Sequence, residues 1–330
     1  MKKIINQVFY WSIVSLLCIQ NAIAQTRPRF SQYTVNHHLI NSASTGAYGY
    51  SQLHLVARNQ WLGLEDTPRA LAFSGQFPLT LFSPSPAKSL PTIGTISYSN
   101  RTDRPDGYQE APGPVPAVGF LLVLEENNRH YRRHTYFNLA IPFQVTKKIT
   151  LALGGGLGLV DLRQKSDGIG FLDSKSITSP VVDGGIFVYS DDFFGGFASG
   201  KMFEEEAVLP EIPNHNQTAI YYHITGGYRW RLNANWQLIP SAQFRIVESQ
   251  GANVTLSTRA VYQEKNWAGL SYQEGKAIGL LAGKVFGQIE LNYAYSFPLS
   301  SVAFDRINNH EFTLKYRWRK SLYRFQHNLF

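Results

Sequence analysis

Short stretches in which apolar and polar side chains alternate run along the whole chain, and this pattern constrains the fold most. The stretch 311–318, EFTLKYRW, places its aromatic and aliphatic side chains on one face, with Lys315 and Arg317 on the other. The stretches 289–297 and 220–230 alternate in the same way. A period of two residues with one polar face predicts β-strands.

The ends of the apolar faces distinguish a membrane barrel from a soluble β-sandwich, which also alternates. These faces run for about four to six residues and finish in Tyr or Trp, as a lipid-facing band between aromatic girdles does. Aromatic residues make up 14 % of the chain and charged residues only 16 %. A sandwich core would contain Val and Ile throughout, so the pattern favours the barrel.

The alternating stretches predict fourteen strands, an even number, as in bacterial outer-membrane barrels. Long and short connections follow each other, which matches the long outer loops and short periplasmic turns of such barrels. The sequence therefore predicts an all-β fold, a transmembrane antiparallel β-barrel of about 14 strands in the outer membrane. The strands are expected at about 50–58, 70–77, 117–125, 133–143, 149–160, 181–189, 193–201, 218–231, 236–247, 254–262, 266–272, 277–286, 288–297 and 311–319.

The first 24 residues have the features of a cleaved signal peptide, with a basic start, an apolar run and small residues at 22 and 24. The alternative, an uncleaved anchor helix, requires roughly 20 apolar residues, more than the run provides. Cleavage before Gln25 removes two lysines from a net charge of +8, and it removes Cys18, the one cysteine. The mature chain then has neither a disulfide nor a zinc–thiolate site.

The mature chain divides into four predicted parts. Residues 25–49 form an N-terminal luminal or plug-like segment, residues 50–319 form the barrel, and residues 320–330 form a basic C-terminal tail. The connection at about 78–116 interrupts the barrel where a short periplasmic turn is expected. It is interpreted either as an extended loop without activity or as a periplasmic projection that contacts a partner.

The polar N-terminal segment has the period of neither a helix nor a strand. A barrel of fourteen strands is wider than the eight-stranded kind that side chains fill and narrower than the sixteen- to eighteen-stranded porins that leave a channel. Something is therefore expected to occupy or narrow its lumen. Asn and Ser side chains suit this role because they offer hydrogen-bond donors and acceptors to the buried polar groups of the barrel wall. The alternative is a flexible leader.

Two motifs carry a resemblance to a known family. They are FSQY followed by an asparagine, and RNQW in the first long loop; their residues are Phe30, Ser31, Gln32, Tyr33, Asn36, Arg58, Asn59, Gln60, Trp61, Gly63 and Pro68. With these motifs, and with its final strand, the mature chain resembles the PorP/SprF family of type IX secretion and gliding motility in the Bacteroidetes. The 78–116 segment departs from the family pattern as an insertion, and so its role is not inherited.

The resemblance implies a non-enzymatic outer-membrane barrel that docks secreted or surface-adhesin C-terminal domains. It also implies contact with periplasmic ring lipoprotein or peptidoglycan-binding components. A diffusion channel or small-solute transporter is the alternative, and an outer-membrane enzyme is a third class. The scattered basic residues form no nucleic-acid patch, so the expected partners are outer-membrane lipid and proteins, with no nucleic acid.

Four charged residues lie on the polar, lumen-facing side of their strands: Arg229, Glu290, Lys315 and Arg317. Unpaired charge in a narrow interior is costly, so ion pairs or a contact with the plug are expected there.

No catalytic, cofactor or metal site is predicted. His37 and His38 are adjacent and point to opposite sides of an extended chain, which makes a poor metal pair. The chance that a serine, a histidine and an acid come together is high in a long chain, and the candidate histidines are His134, His215, His223 and His310.

Two further motifs have a structural interpretation. The glycine-rich stretch at 154–159 lacks the Lys-Ser/Thr of a phosphate loop and lies within a strand, so its glycines are interpreted as small residues that allow curvature of the strand or close packing in the lumen. The acidic run at 204–206 is interpreted as a solvated loop, with calcium binding as the alternative.

Overall fold

Fourteen antiparallel strands form a single sheet in the described part of the chain in a computed structural model. The structure describes residues 30–60, 67–79, 115–127, 130–146, 148–164, 176–203, 218–247, 251–299 and 308–318. The strands are β1 Ser51–Asn59, β2 Arg69–Pro78, β3 Ala117–Glu126, β4 His130–Gln144, β5 Thr150–Gln164, β6 Ser176–Tyr189, β7 Phe193–Phe203, β8 Thr218–Tyr228 with its continuation Trp230–Arg231, β9 Trp236–Val247, β10 Gly251–Tyr262, β11 Asn266–Gln273, β12 Ala277–Phe286, β13 Ile289–Pro298 and β14 Asn309–Trp318.

Several predictions concern residues outside this described part. They are the signal peptide, most of the 78–116 connection, Trp61 and Gly63, His215, the acidic run 204–206 and the tail 320–330.

The strands close into a ring. Each pairs with its neighbours in sequence, and β1 also pairs with β14, from Ser51 opposite Trp318 to Asn59 opposite His310. Closure gives every strand a hydrogen-bonded neighbour on each side, which a sheet in hydrocarbon requires. The predicted fourteen-stranded barrel is confirmed. Among the described residues, no helix is long and apolar enough to cross a membrane.

The outer surface of the ring is apolar and its inner surface is polar. In β14, Phe312 and Trp318 are 57 % and 59 % exposed, whereas Lys315 and Arg317 are 2 % exposed. Aromatic pairs lie near both ends of the outer face, among them Tyr228 with Trp230 on the side of the short turns and Tyr295 with Phe297 at the opposite end. This is the band between aromatic girdles that the alternation predicts.

Three strands extend further than their sequence predicts. β4 begins at His130 rather than 133, β5 continues to Gln164 rather than 160, and β6 begins at Ser176 rather than 181. The backbone ladder continues past the apolar band because outward-facing polar side chains support it, and Arg133 Nε donates to Asp161 Oδ2 at 2.7 Å there. As a result β3 and β4 are only three residues apart, which makes the contrast in loop length smaller than predicted.

Candidate functional site

Residues 30–50, here called the luminal segment, lie inside the ring. The segment has two single turns of 3-10 helix, His37–Leu39 and Ser42–Ser44, and reaches β1 directly. Most of its side chains are buried, including polar ones, and they contact the inner faces of strands around the barrel. The division of the chain at residue 49 stays a prediction.

Glu311 of β14 joins the two sequence motifs. Its carboxylate accepts the backbone N–H of Ser31 at 2.8 Å and that of Gln32 at 3.0 Å. The same carboxylate lies 4.0 Å from Arg58 Nη1. The Gln60 amide oxygen, in the orientation that satisfies its surroundings, accepts from Arg58 Nε at 3.2 Å. FSQY and RNQW, separated in sequence, therefore share one buried acid.

Sequence reasoning did not single out Glu311. It stands at the start of an alternating strand, where the pattern reports only that its side chain faces inward. Its two partners come from the first motif and lie about 280 positions earlier. The one available signal was an acid on the inner face of a strand, which requires a partner when it is buried.

The other residues of the first motif contact different strands. Phe30 packs on an apolar cluster formed by β1 to β6. Tyr33 donates from its hydroxyl to Ser241 Oγ of β9 at 3.2 Å, and Asn36 Nδ2 donates to Ser74 Oγ of β2 at 3.0 Å. The segment is therefore attached to both sides of the barrel.

The second motif lies at the outer end of β1. Asn59 is exposed, and its backbone pairs with Arg69 and with β14. The backbone N–H of Gln60 donates to the Pro68 carbonyl at 3.0 Å, which closes the base of the first loop. Trp61 and Gly63 stand in that loop outside the described residues.

Asn41 attaches the luminal segment to β6 and β7. Its Nδ2 donates to the carbonyls of Ile186 and Phe197, at 3.1 and 3.3 Å, while its Oδ1 accepts from the Ala43 N–H at 2.9 Å. The strand wall it touches has inward-facing glycines. A Cβ at Gly154 would collide with the backbone of Ala43, and one at Gly185 would collide with the Asn41 side chain. At Gly154, therefore, the glycine run packs closely against the luminal segment.

The adjacent histidines contact different parts of the barrel. His37 packs against Phe194 with ring centroids 4.4 Å apart. His38 Nδ1 lies 2.9 Å from Thr45 Oγ1 and its Nε2 lies 3.3 Å from the Phe120 carbonyl. Burial lowers the pKa of His37 to about 3 and that of His38 to about 4, so both imidazoles are neutral at pH 7.

The four candidate lumen charges are all buried. Glu290 lies between two cations, with its Oε2 3.7 Å from Lys315 Nζ and 3.8 Å from Arg317 Nη2. Arg229 interrupts β8 near the short turn 190–192, where its backbone N–H donates to the Asp192 carbonyl at 2.6 Å. The structure therefore brings three of the four charges, Glu290, Lys315 and Arg317, into one cluster on β13 and β14. The fourth, Arg229, lies at the end of β8.

The candidate catalytic histidines that the structure describes contact other side chains. His134 lies 3.6 Å from Glu125, His223 lies 3.0 Å from Gln243, and His310 lies 2.7 Å from the Tyr293 hydroxyl. Within the described ranges, no group of three or more His, Cys, Asp and Glu side chains is arranged to hold a metal ion.

A small cavity remains between the luminal segment and the outer half of the barrel. Its volume is about 100 Å³, and it is lined by Tyr33 and Leu39 of the segment and by wall residues such as Glu125 and Arg245. Small-molecule sites usually have volumes of roughly 300–1,000 Å³. The cavity therefore has room for a few water molecules and not for a ligand of ordinary size.

Comparison with known proteins places the chain in a family. The family model of the type IX secretion system membrane protein PorP/SprF matches residues 22–316. Comparison with the curated proteins gave no match.

Several solved structures are similar to the chain at low sequence identity. A FadL homologue of Pseudomonas aeruginosa is 11 % identical, with 88 % of this chain and 94 % of that chain covered and a TM-score of 0.47. The P. putida toluene transporter TodX is 11 % identical, with 87 % of this chain and 95 % of that chain covered and a TM-score of 0.46. The outer membrane protein Omp33 of Acinetobacter baumannii is 7 % identical, with 82 % of this chain and 99 % of that chain covered and a TM-score of 0.43.

Proposed function

We propose, from the premise that the chain belongs to the PorP/SprF family of type IX secretion system membrane proteins, that it is a non-enzymatic docking barrel of that system. The protein is an outer-membrane β-barrel of type IX secretion. At its outer face it docks secreted or surface-adhesin C-terminal domains. On the periplasmic side it contacts ring lipoprotein or peptidoglycan-binding components.

The filled lumen is the observation that carries this proposal. The luminal segment is hydrogen-bonded to β2, β6, β7, β9 and β14, and the cavity of about 100 Å³ beside it is smaller than a usual small-molecule site. A barrel occupied in this way supports a role as a rigid platform more than a role as a solute pathway.

The two sequence motifs organise this platform. The Ser31 and Gln32 amides and the Arg58 guanidinium share the Glu311 carboxylate. This arrangement ties the luminal segment, the first strand and the last strand together at the point where the ring closes. We assign FSQY and RNQW a structural role on this basis.

The connection between β2 and β3 is the proposed periplasmic contact. It leaves the ring at Pro78, opposite Ala117, on the side of the short turns, and the Leu79 N–H donates to the Pro116 carbonyl at 2.7 Å. The luminal segment touches this base, since the Gly46 N–H donates to Gln76 Oε1 at 3.0 Å. A partner bound to the connection would therefore be coupled mechanically to the lumen.

Affinity isolation from native membranes tests the proposal. The full chain is expected to retain both a secreted C-terminal domain and a periplasmic component of type IX secretion. A variant in which a short Gly-Ser turn replaces residues 80–114 should keep the first and lose the second. Retention of the periplasmic component by this variant contradicts the assigned role of the connection.

Planar-bilayer recording separates the docking barrel from the alternative, a diffusion channel or small-solute transporter. The intact barrel is expected to be closed to ions. Deletion of residues 26–45 is expected to open it, because the polar lumen would then be filled by water. Steady conductance of the intact protein would favour the channel.

A further inference from the structure

Three cations and one acid are buried together between the luminal segment and the wall formed by β10, β13, β14 and β1. Lys315, Arg317 and Arg259 are each 2 % exposed, and Glu290 is 5 % exposed. Glu290 Oε2 lies 3.7 Å from Lys315 Nζ and 3.8 Å from Arg317 Nη2, beyond good hydrogen-bonding distance. We call this group, with its neighbours Gln52 and His54, the cationic cluster.

Tyr48 of the luminal segment covers the cluster. Lys315 Nζ lies 4.8 Å from the centroid of the Tyr48 ring. The charges of Arg259 and Glu290 both interact electrostatically with the Tyr48 hydroxyl. Gln52 stands directly opposite Arg317, and His54 opposite Lys315, in the β1–β14 pair. Directly opposed side chains of two strands have Cβ atoms about 5 Å apart, so these groups form one site.

Several donors in the cluster lack an acceptor among the described residues. They are Nε and Nη2 of Arg317, Nε of Arg259 and Nε2 of Gln52; Oε1 of Gln52, the Tyr48 hydroxyl and both ring nitrogens of His54 also lack a partner. Arg259 makes one long bond, from Nη2 to the Thr34 carbonyl at 3.5 Å. A buried polar group without a partner costs free energy, and a buried charge costs more.

The cluster has an excess of positive charge. The cluster has three positive charges for one negative charge, and lysine and arginine side chains have donors only. A water molecule brings two donors along with its two acceptors, and it carries no charge. An anion contributes acceptor capacity alone and also offsets the excess positive charge.

We propose that a small inorganic anion of chloride size is bound in the cationic cluster, beneath Tyr48. The unpartnered atoms are almost inaccessible to solvent. A peptide carboxylate or a large oxyanion would have to displace the luminal segment to reach them. The bound anion attaches the end of that segment to the strands where the ring closes.

Bromide provides a direct test, because it substitutes for chloride and scatters X-rays anomalously. Crystals of the full-length barrel, purified in detergent and soaked in bromide, are expected to show an anomalous peak in contact with Lys315 or Arg317. A full data set with water alone at this position would overturn the proposal. This measurement requires no substitution and is independent of the role in secretion.

Thermal unfolding provides the second test. At equal ionic strength, the melting temperature of the intact barrel should be higher in sodium chloride than in sodium gluconate by roughly 3 °C. Lys315→Met and Arg317→Gln are each expected to remove this difference. Arg133→Gln is the matched control, because it also removes one arginine charge but Arg133 is 48 % exposed on the outer surface; it should keep the difference.

Two results would contradict the anion site in that experiment. The first is an equal melting temperature of the intact barrel in both salts. The second is a chloride effect that persists in both cluster variants, since it would then arise elsewhere. If these variants do not fold, the bromide position decides.

Discussion

Two walls of the lumen bind the same luminal segment in different ways. The wall of β5, β6 and β7 presents bare backbone at Gly154 and Gly185, so that Asn41 approaches its carbonyl groups. The wall of β1, β13 and β14 presents long charged side chains, and Glu311 accepts two amides of the segment. The first wall holds the segment by close packing against glycines, and the second holds it by hydrogen bonds to a charged side chain.

The inner face of a barrel strand has two requirements at once. Its side chains must fill the lumen without leaving buried polar groups unpaired. Where the segment lies close to a strand, only glycine fits; where it lies further away, a charged side chain bridges the gap. Each wall is therefore expected to be sensitive to the opposite change, an added methyl group on one and a lost charge on the other.

The largest effect is expected on the charged wall. Glu311→Ala would leave the Arg58 charge buried without its acid and two backbone amides without an acceptor, at a cost of about 3–5 kcal/mol in the free energy of unfolding. Urea unfolding in detergent, followed by tryptophan fluorescence, measures this loss. Glu311→Gln keeps an acceptor for the amides and should lose less. Equal stability of wild type and Glu311→Ala would contradict the role of the acid.

A smaller effect is expected on the glycine wall. Gly154→Ala would place a methyl group against the backbone of Ala43, at a cost of about 1–3 kcal/mol. Gly155→Ala is the matched control, because its methyl group would point outward, 3.5 Å from the nearest atom. Urea unfolding should separate the two neighbours. An equal loss at both positions would show that strand propensity, and not contact with the segment, is responsible.

The bond between Asn36 and Ser74 tests attachment of the segment to β2, which stands between the two walls. Asn36→Ala and Ser74→Ala should each cost about 1 kcal/mol. Because each removes the same hydrogen bond, the double variant should lose clearly less than the sum of the two single losses. Full additivity in unfolding free energies would mean that the bond contributes nothing.

The smallest effect is expected outside the lumen. Arg133 and Asp161 form an ion pair at the outer end of β4 and β5, where Arg133 is half-exposed. Arg133→Ala should cost less than about 1 kcal/mol, because water and salt screen such pairs. A loss as large as that of Glu311→Ala would show that stability does not depend on burial in the lumen.

The alternation in sequence predicts most of the fold correctly. Phe312 and Trp318 face lipid while Lys315 and Arg317 face the lumen, as the period of two requires. The even number of strands and the short turns on one side follow from the same pattern. The outer ends of β4 to β6 were harder to predict, because the backbone hydrogen bonds between these strands continue beyond the last outward-facing apolar residues.

The partners inside the lumen were beyond the reach of the sequence. The acid at position 311 was visible as inward-facing, yet nothing near it in sequence indicates Ser31, Gln32 or Arg58. The glycine run predicted close packing but did not identify Asn41 and Ala43 as the groups that pack there. Closure of the ring brings these distant residues together.

The sequence alone determined the barrel, the side of each strand that faces lipid and the family, because these follow from local periodicity and short motifs. Only the tertiary structure decided how the luminal segment is attached and where buried charge accumulates. The physical reason is that these contacts join side chains of different elements, in some cases more than 200 positions apart in sequence, and only the closed ring sets the distance between them.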